Sequence, residues 1–440
     1  MVFRSNDRTI FALSTAQALS AISVIRISGS LAHDAARWIT NSPLPRVREL
    51  QRRRLVNESG DTIDDAMIAI FAEGASYTGQ RMSEIHCHGG MATTAAVLNL
   101  LQGQPGLFTA EPGEFTWRAF ESGRISVEEA EGLGDLIAAE TENQRRLAIR
   151  LASGEGSDLV ENWRSKLLRA IALLEVTIDW VDEEVPENVR PDVDQILHEL
   201  LGELIREREQ SVRTERLRQG VEVALIGAPN SGKSTLLNYL AGREAALTSA
   251  TPGTTRDIIE VRYDLDGWPL IFLDTAGLRD TDNELEGAGI NRALERAKQA
   301  DVRFYLRALD STESPLAESL LQPGDFKVWA KSDLARSKEQ DDFEISAYDG
   351  QGVAKLLRAL ADCLSASNYG SGLLSHHRHR EALTAAIEDL RDAKASLEIA
   401  SEEILSQKLR LALLHLEQII GHTGVEDVLE TIFGNFCLGK

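Results

Sequence analysis

The residues with the clearest chemical meaning lie in one stretch, residues 226–235, which reads I-G-A-P-N-S-G-K-S-T. Gly227 and Gly232 permit a tight turn, so that successive backbone N–H groups and a helix N-terminus point at one anion. Lys233 adds a positive charge that reaches the outer phosphates, and the Ser234 hydroxyl is placed to ligate a magnesium ion. The stretch therefore predicts a loop that binds a nucleoside triphosphate.

Two downstream segments supply the groups that hydrolysis requires. Residues 270–277 (L-I-F-L-D-T-A-G) predict a buried strand that delivers Asp274, followed by Gly277, whose N–H can meet a terminal phosphate. Residues 251–257 (T-P-G-T-T-R-D) form a polar loop whose hydroxyls can complete a magnesium shell. Nucleotide hydrolases hold magnesium by pairing a strand-borne aspartate with a phosphate loop, so this combination predicts a hydrolase.

The loop at residues 330–333 (A-K-S-D) is expected to select the base. The Asp333 carboxylate can accept hydrogen bonds from both N1 and N2 of guanine, and adenine offers no such donor pair. Ser346 and Ala347 would supply the adjoining base loop. Ala330 stands where GTPases generally carry an asparagine, which removes an amide that contacts the base. We therefore predict weaker GTP binding with guanine preference retained.

The residues alone leave the group that orients the attacking water open. Leu278 follows D-T-A-G, where many small GTPases have a glutamine, and leucine neither donates nor accepts a hydrogen bond. Four downstream carboxylates are candidates for this role: Asp280, Asp282, Glu284 and Glu286. Arg279 is the one nearby cation. Since there is no clear arginine finger, an extra cation near the phosphates is one solution, and Asn230 offers an oxygen to hold it.

An α/β insert between helical segments must position these loops. The apolar run 221–226 predicts the strand before the phosphate loop, and the strands that follow it alternate with helical stretches, as a doubly wound sheet requires. Those further strands are predicted at 302–309, 326–330 and 343–346. Helical periodicity predicts one helix from a Ser126–Glu129 capping box to about residue 151, others at 159–179 and 192–217, and more after residue 375.

The first 120 residues mix short strands and helices. Strands are predicted at 23–28 and 82–88, and an amphipathic helix at 92–101. Glu84, His86 and His88 share one face of the second strand, which permits a metal site, a polar pocket or a solvated face. No fourth ligand accompanies them, so a metal site is the least favoured of the three.

Composition excludes several classes of protein. The 440 residues carry a formal net charge of −22, which argues against a strongly basic nucleic-acid module, although a local basic patch could still bind RNA. No apolar run reaches the roughly 18 residues of a membrane span, and no signal peptide is recognisable at the N-terminus. The three scattered cysteines indicate no disulfide framework, so a reducing, cytoplasmic compartment is expected.

Essentially the whole chain resembles the tRNA-modification GTPase family called MnmE or TrmE. Besides the GTPase motifs, the segments that carry the resemblance are 24–29 (V-I-R-I-S-G), 77–90 (Y-T-G-Q-R-M-S-E-I-H-C-H-G-G), 112–120 (P-G-E-F-T-W-R-A-F) and 436–440 (F-C-L-G-K). A terminal cysteine motif with an inserted G domain is far narrower than a phosphate loop alone. The departures are residues 16–23 in place of a glycine-rich loop, Gln80-Arg81 in place of Glu-Asp, and Ala330.

The resemblance implies a multidomain chain of α+β and α/β class. Residues 1–120 would form a folate-binding and dimerisation domain, residues 121–216 and 373–440 a discontinuous helical domain, and residues 217–372 an inserted, doubly wound G domain. With a flavin-dependent partner, MnmG or GidA, in a heterotetramer, the family modifies carbon 5 of the tRNA wobble uridine with a folate one-carbon donor. Its G domains are similar to those that dimerise in response to potassium and GTP.

By motif position, the resemblance also implies the roles of individual residues. Glu286 would orient the water, with Lys233 and Arg279 as further catalytic candidates, and potassium would occupy the place of an arginine finger. Magnesium would be held by Ser234 and Thr255. The potassium ligands would be Asn230, Ser249, Thr251 and Thr254. The nucleotide-binding set would comprise Asn230, Ser231, Gly232, Lys233, Ser234, Thr235, Ser249, Thr254, Thr255, Asp274, Thr275, Ala276, Gly277, Lys331, Asp333, Ser346 and Ala347.

Four residues fall on the family's folate-pocket positions: Arg26, Glu84, Arg124 and Lys440. Arginine and lysine suit the glutamate tail or ring oxygens of 5-formyl-tetrahydrofolate or a related folate, and a carboxylate suits the pterin amino group. Cys437 falls on the C-terminal cysteine near that pocket. A redox or pocket role and a small buried hydrophobe are equally open for Cys437.

Two functions of different classes compete. The first is an enzyme of tRNA wobble-uridine modification, and the second is a GTP-switched RNA-assembly or scaffold factor without modification chemistry. The terminal F-C-L-G-K and the folate-type N-terminal domain favour the enzyme, because an assembly factor would more often carry a basic appendage. The cluster at 376–380 (H-H-R-H-R) could contact tRNA phosphates, but a solvated helix start is favoured.

Overall fold

The computed structural model describes residues 8–179, 189–243, 246–247, 260–274, 294–308, 311, 314–334, 343–366, 372–421, 433–434, 436 and 439. The chain divides into two compact units, one of Met1–Gly134 with Leu416–Lys440 and one of Asp135–His415. None of the helices in the described ranges combines the length and apolar character that a membrane crossing requires.

A six-stranded sheet organises the first unit, in the order β3-β4-β5-β2-β1-β6. Its strands are β1 (Thr9–Leu13), β2 (Ile22–Ser28), β3 (Gln51–Val56), β4 (Thr62–Phe71), β5 (Met82–His88) and β6 (Leu107–Thr109). β1 pairs with β6 in parallel, and the other neighbours are antiparallel. The strands predicted at 23–28 and 82–88 are therefore confirmed as β2 and β5.

Strict alternation along β2 explains how this sheet positions polar groups. Ile25 and Ile27 are fully buried and pack with Ile85 in the core that covers α1 (Ala32–Thr40) and α2 (Met91–Gln102). Arg26 projects from the opposite face, because successive side chains of a strand alternate. The register of β2 with β5 sets Arg26 directly opposite Glu84.

Aromatic residues bring the end of the chain into the first unit. Phe433 and Phe436 pack with Val127 in a cluster that also includes Trp117 and Phe120. Trp117 and Phe120 belong to helix α3 (Glu114–Glu121), and Val127 begins helix α4 (Val127–Ala138). Edge-to-face contact between Trp117 and Phe433, with ring centroids 5.4 Å apart, fixes the terminal segment against α3.

Helices from two separated parts of the sequence pack together in the second unit. They are α5 (Glu142–Ala152), α6 (Glu155–Asp179), α7 (Arg190–Gln219), α12 (His377–Ala395) and α13 (Glu402–Ile420), which belongs to this unit as far as His415. Both α6 and α12 pack along α7. In the first unit, the predicted Ser126–Glu129 capping box at the start of α4 is confirmed. Ser126 N donates to Glu129 Oε2 at 2.6 Å, and Glu129 N donates to Ser126 Oγ at 3.0 Å.

The single helix predicted from this capping box to about residue 151 is wrong. The chain leaves the helix after α4 ends at Ala138, and a new helix, α5, begins at Glu142. Thr141 and Gln144 form a second capping box there, since the Thr141 side chain accepts from Gln144 N and the Gln144 side chain accepts from Thr141 N. The helical period alone does not reveal such a break, because apolar spacing continues across it.

A mostly parallel seven-stranded sheet, β13-β12-β11-β7-β10-β9-β8, forms the rest of the second unit. Its strands are β7 (Val221–Ile226), β8 (Ala246–Leu247), β9 (Glu260–Leu265), β10 (Trp268–Asp274), β11 (Val302–Arg307), β12 (Phe326–Trp329) and β13 (Phe343–Glu344). The helices of this part are α8 (Lys233–Ala241), α9 (294–299), α10 (Pro315–Glu318) and α11 (Val353–Ala366). The predicted fold class is confirmed, with β11, β12 and β13 ending earlier than predicted.

Parallel pairing brings the functional loops to one edge of this sheet. β7 pairs in parallel with β10 and β11, and β11 pairs in parallel with β12. The carboxyl ends of these strands therefore meet at one edge, where open α/β sheets bind their ligands. The phosphate loop follows β7, Asp274 ends β10, and Lys331 and Asp333 follow β12.

Candidate functional site

The loop between β7 and α8 adopts a backbone that requires its glycines. Gly227 has a φ of 144°, and a Cβ there would lie 2.3 Å from the Leu306 carbonyl oxygen. Gly232 has a φ of 99° and is the N-cap of α8, a helix end that no described side chain caps. The unpaired first-turn N–H groups of such a helix end form an anion site. The left-handed φ of Asn230, 62°, completes the turn.

Lys233 lies inside this loop as a buried cation. Its side chain is 7% exposed, and its Nζ donates to the carbonyl oxygens of Gly227 at 2.9 Å and Ala228 at 2.8 Å. Burial lowers the pKa of Lys233, and the charge of Asp274 opposes that shift. Phosphate oxygens are stronger partners for an ammonium group than neutral carbonyls. The loop therefore presents a cation suited to a polyphosphate.

A hydroxyl and a carboxylate meet beside Lys233. Ser234 Oγ, in the first turn of α8, donates to Asp274 Oδ2 at 2.8 Å. Asp274 is 6% exposed at the end of β10. Oxygen donors of this kind are those that Mg²⁺ takes alongside the phosphates of a nucleotide. The pair fits a magnesium ion, and it joins two residues that are separated by 40 positions in sequence.

Ser231 contributes a buried hydroxyl group to the same loop. Its side chain is fully buried, and its Oγ has no hydrogen-bond partner within the described ranges. Leaving a buried hydroxyl without a partner costs about 1–3 kcal/mol. A phosphate oxygen in the loop would offset this cost. Thr235 follows Ser234 on α8 and is exposed at the same edge.

The structure brings the two predicted base loops together. Ser332 N donates to the Ile345 carbonyl oxygen at 3.0 Å, which joins the loop after β12 to the start of the second base loop. Lys331 has a left-handed φ of 57°, and Asp333 is exposed. The neighbouring Ser346 is fully buried and Ala347 is half-buried.

Ala330 connects the base loop to the phosphate loop. It is 4% exposed, and its Cβ lies 3.3 Å from the position that a Cβ on Gly232 would occupy. Gly232 has no side chain and the alanine methyl group forms no hydrogen bond, so no side-chain hydrogen bond from residue 330 can tie the two loops together. The arrangement is consistent with the predicted loss of an amide at this position.

Some of the predicted site residues lie outside the part of the chain that the structure describes. In the G domain these are Ser249, Thr251, Thr254, Thr255, Thr275, Ala276, Gly277, Arg279 and Glu286, and at the C-terminus they are Cys437 and Lys440. The roles of these residues stay predictions.

A cavity of about 400 Å³ opens in the first unit, with Arg26, Arg48, Tyr77 and Glu84 in its wall. Arg26 donates from Nε and Nη2 to Glu84 Oε1, both at 3.1 Å, and its guanidinium lies 5.6 Å from the centre of the Tyr77 ring. The hydrogen bond with His86, and then the charge of Arg26, hold the pKa of Glu84 below its usual value in spite of burial. The cavity thus carries a cation and a carboxylate side by side.

Arg124, the other predicted folate residue that the structure describes, does not line this cavity. Its Nη1 donates to the Gly74 carbonyl oxygen at 2.9 Å. Gly439, which precedes Lys440, accepts a hydrogen bond from Ser14 Oγ at 3.0 Å, and Arg26 Nη1 lies 3.5 Å from the same carbonyl oxygen. The terminal motif therefore reaches the cavity through Arg26.

Two polar residues of the cavity wall, Tyr77 and Arg48, were not predicted from the sequence. Tyr77 lies in the segment 77–90 that carries the family resemblance, and an aromatic residue there was the available signal. Arg48 has a left-handed φ of 64° in the loop before β3, and nothing in the sequence indicates its placement.

The polar face of β5 is engaged with neighbouring side chains. His86 Nε2 lies 3.3 Å from Glu84 Oε2, and His88 Nδ1 lies 2.7 Å from Asp64 Oδ1. Across the described ranges, no group of three His, Cys, Asp or Glu side chains could hold a metal ion. These contacts favour the polar pocket for Glu84 and a solvated position for His88.

Acidic partners surround the cluster at 376–380. His376 Nε2 lies 3.0 Å from Asp135 Oδ2, Arg380 forms an ion pair with Glu215, and His379 is fully buried. The cluster therefore joins α12 to neighbouring elements of the second unit. These contacts disfavour binding of tRNA phosphates by the cluster, but the fully buried His379 does not fit the solvated helix start that the sequence favoured.

Comparison with known proteins identifies the family. Residues 127–437 match the family model of the MnmE helical domain, and residues 9–124 match that of the GTP-binding protein TrmE N-terminus. The tRNA modification GTPase MnmE of Dinoroseobacter shibae is 47% identical over 98% of this chain and 100% of its own length. The proteins of the same name from Cereibacter sphaeroides and Ruegeria pomeroyi are 45% and 46% identical over the same shares. The resemblance is confirmed, and the chain belongs to the MnmE family of tRNA modification GTPases.

Proposed function

We propose that this GTPase is stimulated by potassium and acts in modification of carbon 5 of the tRNA wobble uridine. It works with a flavin-dependent partner of the MnmG or GidA type and with a folate one-carbon donor. The observation that carries the proposal is the cavity with the Arg26–Glu84 pair, which Gly439 of the terminal motif reaches. A GTP-switched assembly factor or scaffold has no need of such a pocket, so the cavity favours the modification enzyme.

The proposed nucleotide site is built around the phosphate loop. Lys233 binds the outer phosphates, Ser234 and Asp274 hold magnesium with Thr255, and Asp333 selects guanine. When bound, magnesium would neutralise charge that develops on the phosphates. Potassium, held by Asn230 and residues 249–254, would act in the place of an arginine finger, and Glu286 would orient the water.

The folate end of the proposal uses the charges in the cavity of the first unit. Arg26 suits the glutamate tail or ring oxygens of 5-formyl-tetrahydrofolate or a related folate, and Glu84 suits the pterin amino group. Arg26 also lies over the Tyr77 ring, an arrangement that keeps the guanidinium oriented toward the cavity. Lys440, Cys437 and Arg124 are proposed neighbours of this site.

The proposed assembly follows from the family. The chain is a homodimer through its N-terminal domain, forms a heterotetramer with the flavin-dependent partner, and acts on tRNA in the cytoplasm. Two sites in one chain suit this scheme, because nucleotide turnover at one site can be coupled to chemistry at another only through a change in conformation.

Complementation tests the whole proposal. The chain is produced in a bacterial strain that lacks its own MnmE-family gene, and wobble nucleosides of bulk tRNA are measured by mass spectrometry. We expect the C5-modified uridine to return with the natural chain and with Lys298→Ala, a surface ion-pair control on α9. Lys233→Ala and Arg26→Ala should fail to restore it. A chain that turns over GTP yet never restores the nucleoside, even with its cognate partner supplied, would indicate a switch or scaffold.

The folate site can be tested separately by calorimetry. Arg26→Ala is expected to weaken binding of 5-formyl-tetrahydrofolate about 10- to 100-fold, because it removes a hydrogen-bond donor of full charge, worth about 1.5–3 kcal/mol. GTP turnover should stay unchanged. Arg37→Ala is the matched arginine control, since Arg37 forms an exposed ion pair with Asp34 on α1 and does not line the cavity. Equal weakening by both substitutions would mean that the loss of binding is not specific to the cavity.

A further inference from the structure

One arginine outside the predicted site binds two carboxylates at once. Arg296 of α9 donates to Glu222 Oε1 from Nη2 at 2.8 Å and from Nε at 3.3 Å, and it donates from Nη1 to Glu260 Oε1. All three side chains are partly shielded, with exposed fractions of 32%, 25% and 23%. A guanidinium is suited to this role because its donors form a rigid planar fork.

The three residues lie next to parts of the chain that carry predicted catalytic residues and ligands. Glu222 lies in β7, the strand that leads into the phosphate loop. Glu260 is the first described residue after the segment 248–259, which carries the predicted potassium ligands and Thr255. Arg296 lies in the first described element after the segment 275–293, which carries Glu286. One side chain therefore links the strand of the phosphate loop to Glu260 and α9, the first described parts of the chain after the two segments.

The strand register makes this bridge possible. Glu222 pairs with Ile271 of β10, and Glu260 pairs with Leu273 two residues further along the same strand. Residues two apart in a strand share a face, as do residues paired across strands, so both carboxylates project from one face of the sheet. Helix α9 packs on that face, because Ala297 contacts the cluster of Ala224 and Ile226.

The anchor at Glu222 is itself held rigidly. Its backbone N–H donates to Asp301 Oδ2 at 3.0 Å, and Asp301 N donates back to the Glu222 carbonyl oxygen at 3.0 Å. Arg216 of α7 pairs with the other Asp301 oxygen at 2.8 Å. Arg296 thus connects Glu260 and α9 to a fixed point in the sheet and not to a mobile surface group.

We propose that Arg296 is a positioning residue for GTP hydrolysis, which holds the ends of both segments on β7 so that their ligands act at one place. The proposal rests on the proposed function for the roles of Glu286 and the potassium ligands. Arg296 contacts no substrate in this scheme. GTP affinity is supplied by Lys233 and Asp333, so the loss of Arg296 affects the rate of hydrolysis and not nucleotide binding.

Steady-state kinetics of the full-length protein test this proposal. Arg296→Ala is expected to lower kcat about tenfold, since small displacements of positioned groups have large effects on rate. The Kd for a fluorescent GTP analogue should stay within about twofold, and the potassium concentration for half-maximal rate should rise. Lys298→Ala removes an exposed ion pair from the same helix and should change none of these values. Glu260→Gln, which keeps a hydrogen-bond acceptor, should give an intermediate kcat.

Two results would overturn the proposal. One is an Arg296→Ala protein with the natural kcat and potassium dependence. The other is a fall in kcat that is matched by loss of GTP affinity and of the melting temperature, which would assign Arg296 a purely structural role. Failure of the proposed function is recognised separately, because the natural protein would then show no potassium stimulation. The comparison of kcat between the natural and Arg296→Ala proteins would still decide the positioning role.

Discussion

Replacing Lys233 by alanine is expected to lower GTP turnover about 100- to 1000-fold, the effect of removing one preorganised donor from a developing phosphate charge. Lys233 is buried in the loop between β7 and α8 and contacts two backbone carbonyl groups. With alanine at position 233, the described loop between β7 and α8 would carry no side-chain cation. The measurement is kcat/KM from phosphate release in a buffer with magnesium and potassium.

Two controls separate this loss from damage to the fold. Lys233→Arg keeps the charge but not the compact ammonium group, so we expect partial activity. The melting temperature of Lys233→Ala without nucleotide should not fall, because the substitution removes a buried charge whose pKa is already lowered by desolvation. A Lys233→Ala protein with turnover within about threefold of the natural value would remove the phosphate loop from the mechanism.

Replacing Asp333 by alanine is expected to abolish guanine selection. Its carboxylate would accept two hydrogen bonds from guanine, each worth about 1.5–3 kcal/mol, so GTP affinity should fall at least about 100-fold. ATP affinity should stay as weak as before, since adenine offers no such donors. Competition of GTP and ATP against a fluorescent GDP analogue measures both. A retained preference for GTP would assign base selection to another group.

Ala330→Asn is the matched variant in the same loop. Asparagine would restore one amide between the base loop and the phosphate loop, where the Ala330 Cβ now lies 3.3 Å from the position that a Cβ on Gly232 would occupy. One neutral hydrogen bond contributes about 0.5–1.5 kcal/mol, so guanine nucleotides should bind about 2- to 10-fold more tightly. Selection against ATP should be unchanged. Unaltered affinity would show that the missing amide does not limit binding in this chain.

Short-range patterns explain why much of the site could be predicted from the sequence. The phosphate loop, its flanking strand and helix, and Asp274 at the end of β10 all follow from local residue types. The contact between Ser234 and Asp274 follows from parallel pairing of β7 with β10, a topology that the alternation of strands and helices indicates. Alternation along β2 likewise explains why Arg26 lies on the face opposite Ile25 and Ile27.

Three features of the structure were not predicted from the sequence: a contact between distant residues, a break between two helices and an unusual backbone conformation. Arg296 and Glu222 are separated by 74 positions, and their contact depends on strand register and on the packing of α9. The break between α4 and α5 depends on a capping box that competes with continuous helical periodicity. Arg48 enters the cavity wall through an unusual backbone conformation. The Arg296 contact and the placement of Arg48 have no local signal in the sequence. The break has one, the T-x-x-Q pattern at 141–144, but the apolar spacing that continues across it favoured a single helix.

Cation-assisted hydrolysis is tested by GTP turnover of the purified protein in potassium and in sodium buffer at equal ionic strength, with Glu286→Ala measured in parallel. We expect strong stimulation by potassium in the natural protein and its disappearance in Glu286→Ala. Equal slow rates in both salts would exclude this mechanism, because no cation would then act in the place of an arginine finger.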